Sequence, residues 1–218
     1  LMKVIRASAL LKINLVTTFI GRNKNLNITD NLELAENVWK PILEYAESLN
    51  VKIAIENCPM LFTEDEWPGG KNIAVSPAIW RELFKRLPSE YLGLNFDPSH
   101  FIWQEMDYIR PLYEFKDKIF HVHYKDIRVD KEARNEVGVL ATPLSYMVPC
   151  IPGHGDVNWA RYISALLEIG YQGAACIEVE DKSFEDNNEN IENSLKISRQ
   201  YLKQFIHFPE KGRRYAKD

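Results

Sequence analysis

Cysteine is scarce in this sequence: Cys58, Cys150 and Cys176 are the only three in 218 residues. An odd, sparse set builds no disulfide framework and points to a reducing cytoplasm. The three also lack the paired short spacing of a structural zinc site. No apolar run reaches membrane-spanning length, which excludes a helical membrane anchor within this sequence. A basic region followed by an apolar stretch and a cleavage site is missing from the start of the chain. Positive charge is not in excess, with 27 Lys and Arg against 31 Asp and Glu and a net charge of -4. Bulk composition therefore offers no basic groove for a nucleic-acid backbone. We find no linker, low-complexity segment or clear repeat. What remains is 45% hydrophobic and 27% charged, the make-up of one soluble domain with a sizeable core.

Strand-like and helix-like segments alternate. Short β-rich runs fall at Ile13–Phe19, Val51–Glu56, Leu92–Asp97, Ile119–Lys125 and Ala174–Glu180. Between them the pattern predicts a long helix capped by Asp30 with Glu33 and reaching about Leu49. Pro41 should bend or break that helix. A helix capped by Ser76 with Pro77 at its first position runs to about Leu87. A short helix is expected near Tyr108–Phe115, one capped by Asn158 that ends before Gly170, and a last one over Ile191–Ile206. Arg128 to Val157 reads as a long loop, of the kind that often forms a lid or binding loop. Strands separated by helices give βαβ units and a parallel sheet.

Side chains alternate along a strand, and four runs share one pattern. Ile53 and Ile55, then Leu92, Leu94 and Phe96, then Phe120, Val122 and Tyr124, then Ala175, Ile177 and Val179 form a mostly bulky, apolar face. The opposite face carries Ala54 and Glu56, Gly93, Asn95 and Asp97, Ile119, His121, His123 and Lys125, and Cys176, Glu178 and Glu180. A flat doubly wound sheet needs both faces apolar, because helices cover both. A closed barrel needs only its outer face apolar and keeps its active site at the C-terminal strand ends. The expectation is therefore an α/β fold of the TIM (β/α)8 type.

Glu56, Asp97, His123 and Glu178 each fall near the end of a different strand, on the inward face. Singly, a carboxylate at a strand end is usually solvated or paired, and a histidine is usually a hydrogen-bonded core residue. Together at one barrel mouth, three carboxylates repel one another unless a cation holds them. Oxygen ligands with one imidazole suit a single Mn²⁺, Co²⁺, Mg²⁺ or Zn²⁺ ion.

The segments IAIEN at 53–57, FDPSH at 96–100, HVHYKD at 121–126, PGHGDVNW at 152–159 and CIEVED at 176–181 resemble the xylose isomerase-like sugar isomerase and epimerase superfamily. Each is weak alone; their order and placement are fairly specific. The resemblance implies that Glu56, Asp97, His123 and Glu178 bind the metal. It also implies that the strands correspond to the fourth to eighth of an eight-stranded barrel, with about three βα units absent before the first. Residues 1–218 are then a single domain, the C-terminal five strands of such a barrel. The opening LMKVIRASALLK reads as the end of a helix. Unpaired sheet edges would have to be covered by another chain, so a homo-oligomer is expected.

The chemistry implied by the resemblance is proton transfer next to a carbonyl of a sugar or sugar phosphate, with the metal stabilising an enediolate. Glu56 and Glu178 would exchange that proton as base and acid. His100, His121, Lys125, Asn57 and Trp67 would contact substrate. Two positions depart from the ketose 3-epimerases: Phe62 stands where they carry a second glutamate, and Val129 where they carry an arginine. Inosose dehydratase and hydroxypyruvate isomerase are further relatives. An AP endonuclease of the endonuclease IV type would need more histidines from early strands and an Asp-x-His pair between 127 and 157, which this sequence lacks. A non-catalytic remnant that binds metal or sugar is the other alternative.

Overall fold

In the computed structural model, which describes residues 1–61 and 69–206, the β-rich runs become strands. They are β1 (Leu15–Thr18), β2 (Lys52–Glu56), β3 (Leu92–Phe96), β4 (Ile119–Tyr124), β5 (Asp126–Val129), β6 (Met147–Cys150) and β7 (Ala174–Ile177). The helices are α1 (Met2–Leu10), α2 (Ile28–Ser48), α3 (Pro77–Arg86), α4 (Ser99–Ile102), α5 (Arg110–Glu114), α6 (Lys131–Val137), α7 (Trp159–Glu168) and α8 (Asn188–Leu202). Five strands form one parallel sheet in the order β1-β2-β3-β4-β7. The order follows the chain without reversal. A doubly wound sheet would turn back at a switch point. The result is a curled parallel half-barrel wrapped by helices.

The outer face is the core. Ile53, Ile55, Leu92, Leu94, Phe96 and Val122 lie buried with Trp39 and Leu43 of α2, Trp80 and Leu83 of α3, and Tyr162 and Leu166 of α7. Trp80 is fully buried, meets Phe96, Phe101 and Phe115 at 5.3–5.9 Å between ring centroids, and donates its Nε1–H to the Ala74 carbonyl at 2.7 Å. Aromatic packing of this kind with a satisfied N–H holds helix to sheet firmly.

Sequence periodicity fails at one strand. Leu94 pairs with Ile119 and Asn95 with His121, so Phe120 is an extra residue in β4. This bulge shifts the side-chain alternation. Ile119, expected inward, joins the outer core. Phe120, expected outward, sits under Lys52, whose Nζ lies 4.5 Å from the ring centroid, and against the space a Gly93 side chain would need. Beyond the bulge the expected alternation resumes.

Other differences are local. Asn27, not Asp30, caps α2. Its Oδ1 accepts from the Asp30 backbone N–H and its Nδ2 donates to Asp30 Oδ2, both at 2.9 Å, a reciprocal box one turn earlier than expected. The helix continues through Pro41 to Ser48. The expected long loop is folded: β5 and β6 pair antiparallel, with α6 between them. Asp126, fully buried, pins this excursion by accepting from the backbone N–H groups of Ile127, Gly153 and Val157 and from Trp159 Nε1 at 2.8–3.0 Å. A small satellite core of Leu61, Trp103, Ile127, Val129 and Tyr146 seats it beside α4. No helix among the described residues is long and apolar enough to cross a membrane.

Candidate metal centre

Parallel pairing brings the C-terminal ends of β2, β3, β4 and β7 side by side. Glu56 ends β2, Asp97 follows β3, His123 lies in β4 and Glu178 follows β7. One donor atom from each of the four converges so that all lie within 4.8 Å of one another. His123 Nδ1 is 3.4 Å from Glu56 Oε1 and 3.1 Å from Glu178 Oε2. Asp97 Oδ2, His123 Nδ1 and Glu178 Oε2 are buried without a well-formed hydrogen bond. Their near neighbours are one another and the Lys125 ammonium, at 3.1–3.4 Å. Three such atoms, two carboxylate and one imidazole, aimed at one point are the donor set a divalent cation takes, so the residues present fit a metal.

Three asparagines hold the donors in place. Asn57 accepts from the Asp97 N–H at 2.8 Å and donates to the Asp97 carbonyl at 2.9 Å, locking the ends of β2 and β3 together. Asn72 donates to the carbonyls of Glu56 and Cys58 at 2.9 and 2.8 Å. Asn95 lies between the two histidines, with Nδ2 3.1 Å from His123 Nε2 and Oδ1 2.9 Å from His121 Nδ1. A partner on the far ring nitrogen fixes the orientation of a ligating imidazole.

Charge is dense here. Lys125, almost fully buried, places Nζ 3.4 Å from Asp97 Oδ2, 3.2 Å from Glu178 Oε2 and 3.3 Å from Glu180 Oε2. Burial works against its charge, but these carboxylates hold its pKa well above the ordinary lysine value. Burial also opposes charge on His123, yet Glu178 and Glu56 push it up to about 10. For Glu178, burial is outweighed by His123 and Lys125, which bring it down to about 2. Glu56 goes the other way: burial, with the Asp97 charge adding, raises it despite His123. Both glutamates touch the same histidine, but only Glu178 also has the Lys125 ammonium within 4 Å. Burial brings His100 down to about 4, so its imidazole is neutral.

The structure brings together most residues singled out from sequence. His100 Nε2 lies 3.3 Å from Asp97 Oδ2 and 3.8 Å from Glu56 Oε1. His121 packs edge-on to His123 at 5.4 Å. Asn57 is at the site, but its amide is committed to the Asp97 backbone and almost fully buried, so it positions Asp97. Trp67 and Phe62 lie outside the described residues. Sequence reasoning placed Asn95 on the inner face without giving it a task; its step between two inward histidines of the next strand was the available signal. It passed over Cys58, which adjoins Glu56 and His100. Nothing in the sequence marks Asn72, whose role depends on a loop returning to the end of β2.

A family model described as a xylose isomerase-like TIM barrel matches residues 1–203. An uncharacterized protein, YfiH, of Bacillus subtilis (strain 168) is 30% identical over 180 residues, 77% of this chain and 51% of that protein. An inosose dehydratase of Lactiplantibacillus plantarum is 27% identical over 117 residues, 53% of this chain and 38% of the enzyme. Among solved structures, an IolI protein with a bound zinc atom superimposes with a TM-score of 0.69 at 17% identity, covering 95% of this chain and 69% of that one. A D-tagatose 3-epimerase-like protein gives 0.67 at 22% identity, covering 94% and 67%. The chain spans about half, or less, of the length of the curated relatives it matches.

Proposed function

This chain belongs to the xylose isomerase-like TIM-barrel family, and from that premise we propose that it is a divalent-metal-dependent isomerase or epimerase of a sugar or sugar phosphate. Glu56, Asp97, His123 and Glu178 hold one ion, with Mn²⁺, Co²⁺, Mg²⁺ and Zn²⁺ as candidates. The observation that carries this reading is the convergence of one donor atom from each of the four residues within 4.8 Å. Once bound, an ion there would supply Lewis acidity beside the substrate carbonyl.

The chain's own groups do the rest. Glu56 and Glu178, at the ends of different strands, exchange the carbon-bound proton as base and acid. Lys125 keeps a positive charge beside the developing oxyanion. His100 and His121 offer imidazole groups to substrate hydroxyls, each within one side chain of the donors. Trp67 is read as a further substrate contact. Association of copies belongs to the same proposal, since β1 and β7 each have one paired neighbour in the described sheet.

The test is metal content of wild type beside Glu178→Gln, followed by turnover of keto sugars in deuterated water. About one bound ion per chain, weakened in the variant, with deuterium entering next to the carbonyl, supports the reading. A wild type that takes up no ion when Mn²⁺, Co²⁺ and Zn²⁺ are supplied sinks it. A second reading, a dehydratase of a cyclic polyol ketone, draws on the relatives named inosose dehydratase. It shares the proton abstraction but expels water, so the product's mass falls by one water where an isomer's stays constant.

A further inference from the structure

A second donor set adjoins the four-residue centre. One carboxylate oxygen of Glu56, the Cys58 sulfur and one His100 ring nitrogen lie within 4.8 Å of one another. We propose that these three residues form a second divalent-cation subsite, sharing Glu56 with the first, that selects a borderline-soft ion such as Zn²⁺ or Co²⁺.

Three observations carry this. His100 Nε2 is buried and lacks a hydrogen-bond partner, and the side chain is 10% exposed. Its near neighbours are the carboxylates of Asp97 at 3.3 Å and Glu56 at 3.8 Å, the surroundings of a cation ligand. The backbone bearing the other two donors is clamped, because Asn72, itself fully buried, donates to both the Glu56 and the Cys58 carbonyls. The chain then turns sharply at Met60, whose φ is +58°, so that the Met60 N–H points at Cys58 Sγ at 3.3 Å. That N–H holds the sulfur in place next to Glu56 and His100.

Thiolate, imidazole and carboxylate are the mixed donors of zinc and cobalt, with a fourth position left for water or substrate. Mg²⁺ is a hard ion that prefers oxygen ligands and shuns thiolate, so the sulfur excludes magnesium from this subsite, whereas the carboxylate-rich four-residue centre admits it. Binding breaks the Cys58 S–H bond, forms a sulfur–metal bond and releases the proton to solvent. Asp97 Oδ2 lies 3.3 Å from His100 Nε2. A substrate hydroxyl assigned to His100 would then meet this ion first. The subsite does not depend on turnover, and only Glu56 is common to both donor sets.

The experiment is titration of the chelator-stripped protein with Co²⁺, read by absorption. We expect two equivalents, one of them bringing the intense near-ultraviolet band of thiolate-to-cobalt charge transfer. Cys58→Ser and His100→Gln should each remove that equivalent, Cys58→Ser abolishing the band, while the other ion stays. Glu178→Gln should weaken the ion without the band. Thermal melts identify any variant that fails to fold, and for a misfolded Cys58→Ser the His100→Gln protein carries the test. Cobalt bound without a thiolate band overturns the subsite and leaves the four-residue centre standing. A band that survives Cys58→Ser also overturns it, assigning the sulfur to Cys150 or Cys176. One equivalent only, carrying the band and indifferent to Glu178→Gln, upholds the subsite and overturns the centre of the proposed function.

Discussion

The ends of β2, β3 and β4 and the end of β7 supply the same kind of side chain to one site, but they are built differently. Glu56, Asp97 and His123 come from strands paired on both sides. Their positions are fixed by Asn72, Asn57 and Asn95 through hydrogen bonds of 2.8–3.1 Å. Asp97 is fully buried. Glu178 follows a strand with one paired neighbour, whose Ala174, Ala175 and Cys176 are exposed. Its side chain is 32% exposed and is held by His123 and Lys125 through charge. The backbone beyond it is tied at Asp181, which accepts from the Ile151 N–H at 3.2 Å. Neutral clamps set geometry whatever the protonation state, whereas a charge-held donor follows the charges around it. On the proposed reading, the site has a preformed three-donor floor and a fourth donor that should respond to metal and pH.

The sharpest challenge to that division is Asn57→Ala. It removes two hydrogen bonds and leaves the buried Asp97 N–H unpaired, and we expect a loss of about 3 kcal/mol in urea unfolding. A loss under about 1 kcal/mol would mean that the floor is not rigid. Next comes Gly93→Ala on β3, where the new Cβ would collide with the Lys118 carbonyl and the Phe120 ring. Overpacking should cost about 2 kcal/mol, read from the denaturation midpoint. Asn95→Ala frees the far side of both histidines and should weaken metal binding by about 10 to 100-fold, measured by calorimetry.

The pH dependence probes the charge-held side. In the metal-free chain the His123 pKa is raised to about 10. Its contribution to stability is complete below its unfolded value and is lost as pH rises through about 10. Glu178, lowered to about 2, contributes above the ordinary glutamate range and loses that contribution as pH falls toward 2. On the proposed reading, a bound cation would take the place of the His123 proton. Metal affinity should therefore rise about tenfold per pH unit across the neutral range. Melts of chelated and metal-loaded protein from pH 6 to 10 should diverge as pH rises, and parallel curves would contradict the pairing. Smallest is Cys176→Ala at the exposed edge, expected within about 0.5 kcal/mol of wild type. A larger loss would show that β7 is as constrained as β3.

The candidate site was largely legible because a strand's period is short. Glu56, Asp97 and His123 fall on the inner face by counting alone, and the four donors do converge. Counting failed where the backbone inserted a residue: the bulge at Phe120 exchanged the faces of Ile119 and Phe120, and no composition signal marks a bulge. It also failed between 128 and 157, where short strands with a proline at 149 lack the length to stand out, and where Asp126 organises the segment through bonds to residues 27 to 33 positions away. Asn72 was invisible for the same reason.

By itself, the sequence determined the alternation of strands and helices, the apolar outer face and the polar strand ends. These depend on local periodicity and on which side chains water accepts. Tertiary structure alone decided that Asn57, Asn72 and Asn95 fix three of the donors, and that Lys125 sits among Asp97, Glu178 and Glu180. Each is a contact between residues distant in the chain, set by how the strands curve and stack, which no window of neighbouring residues contains.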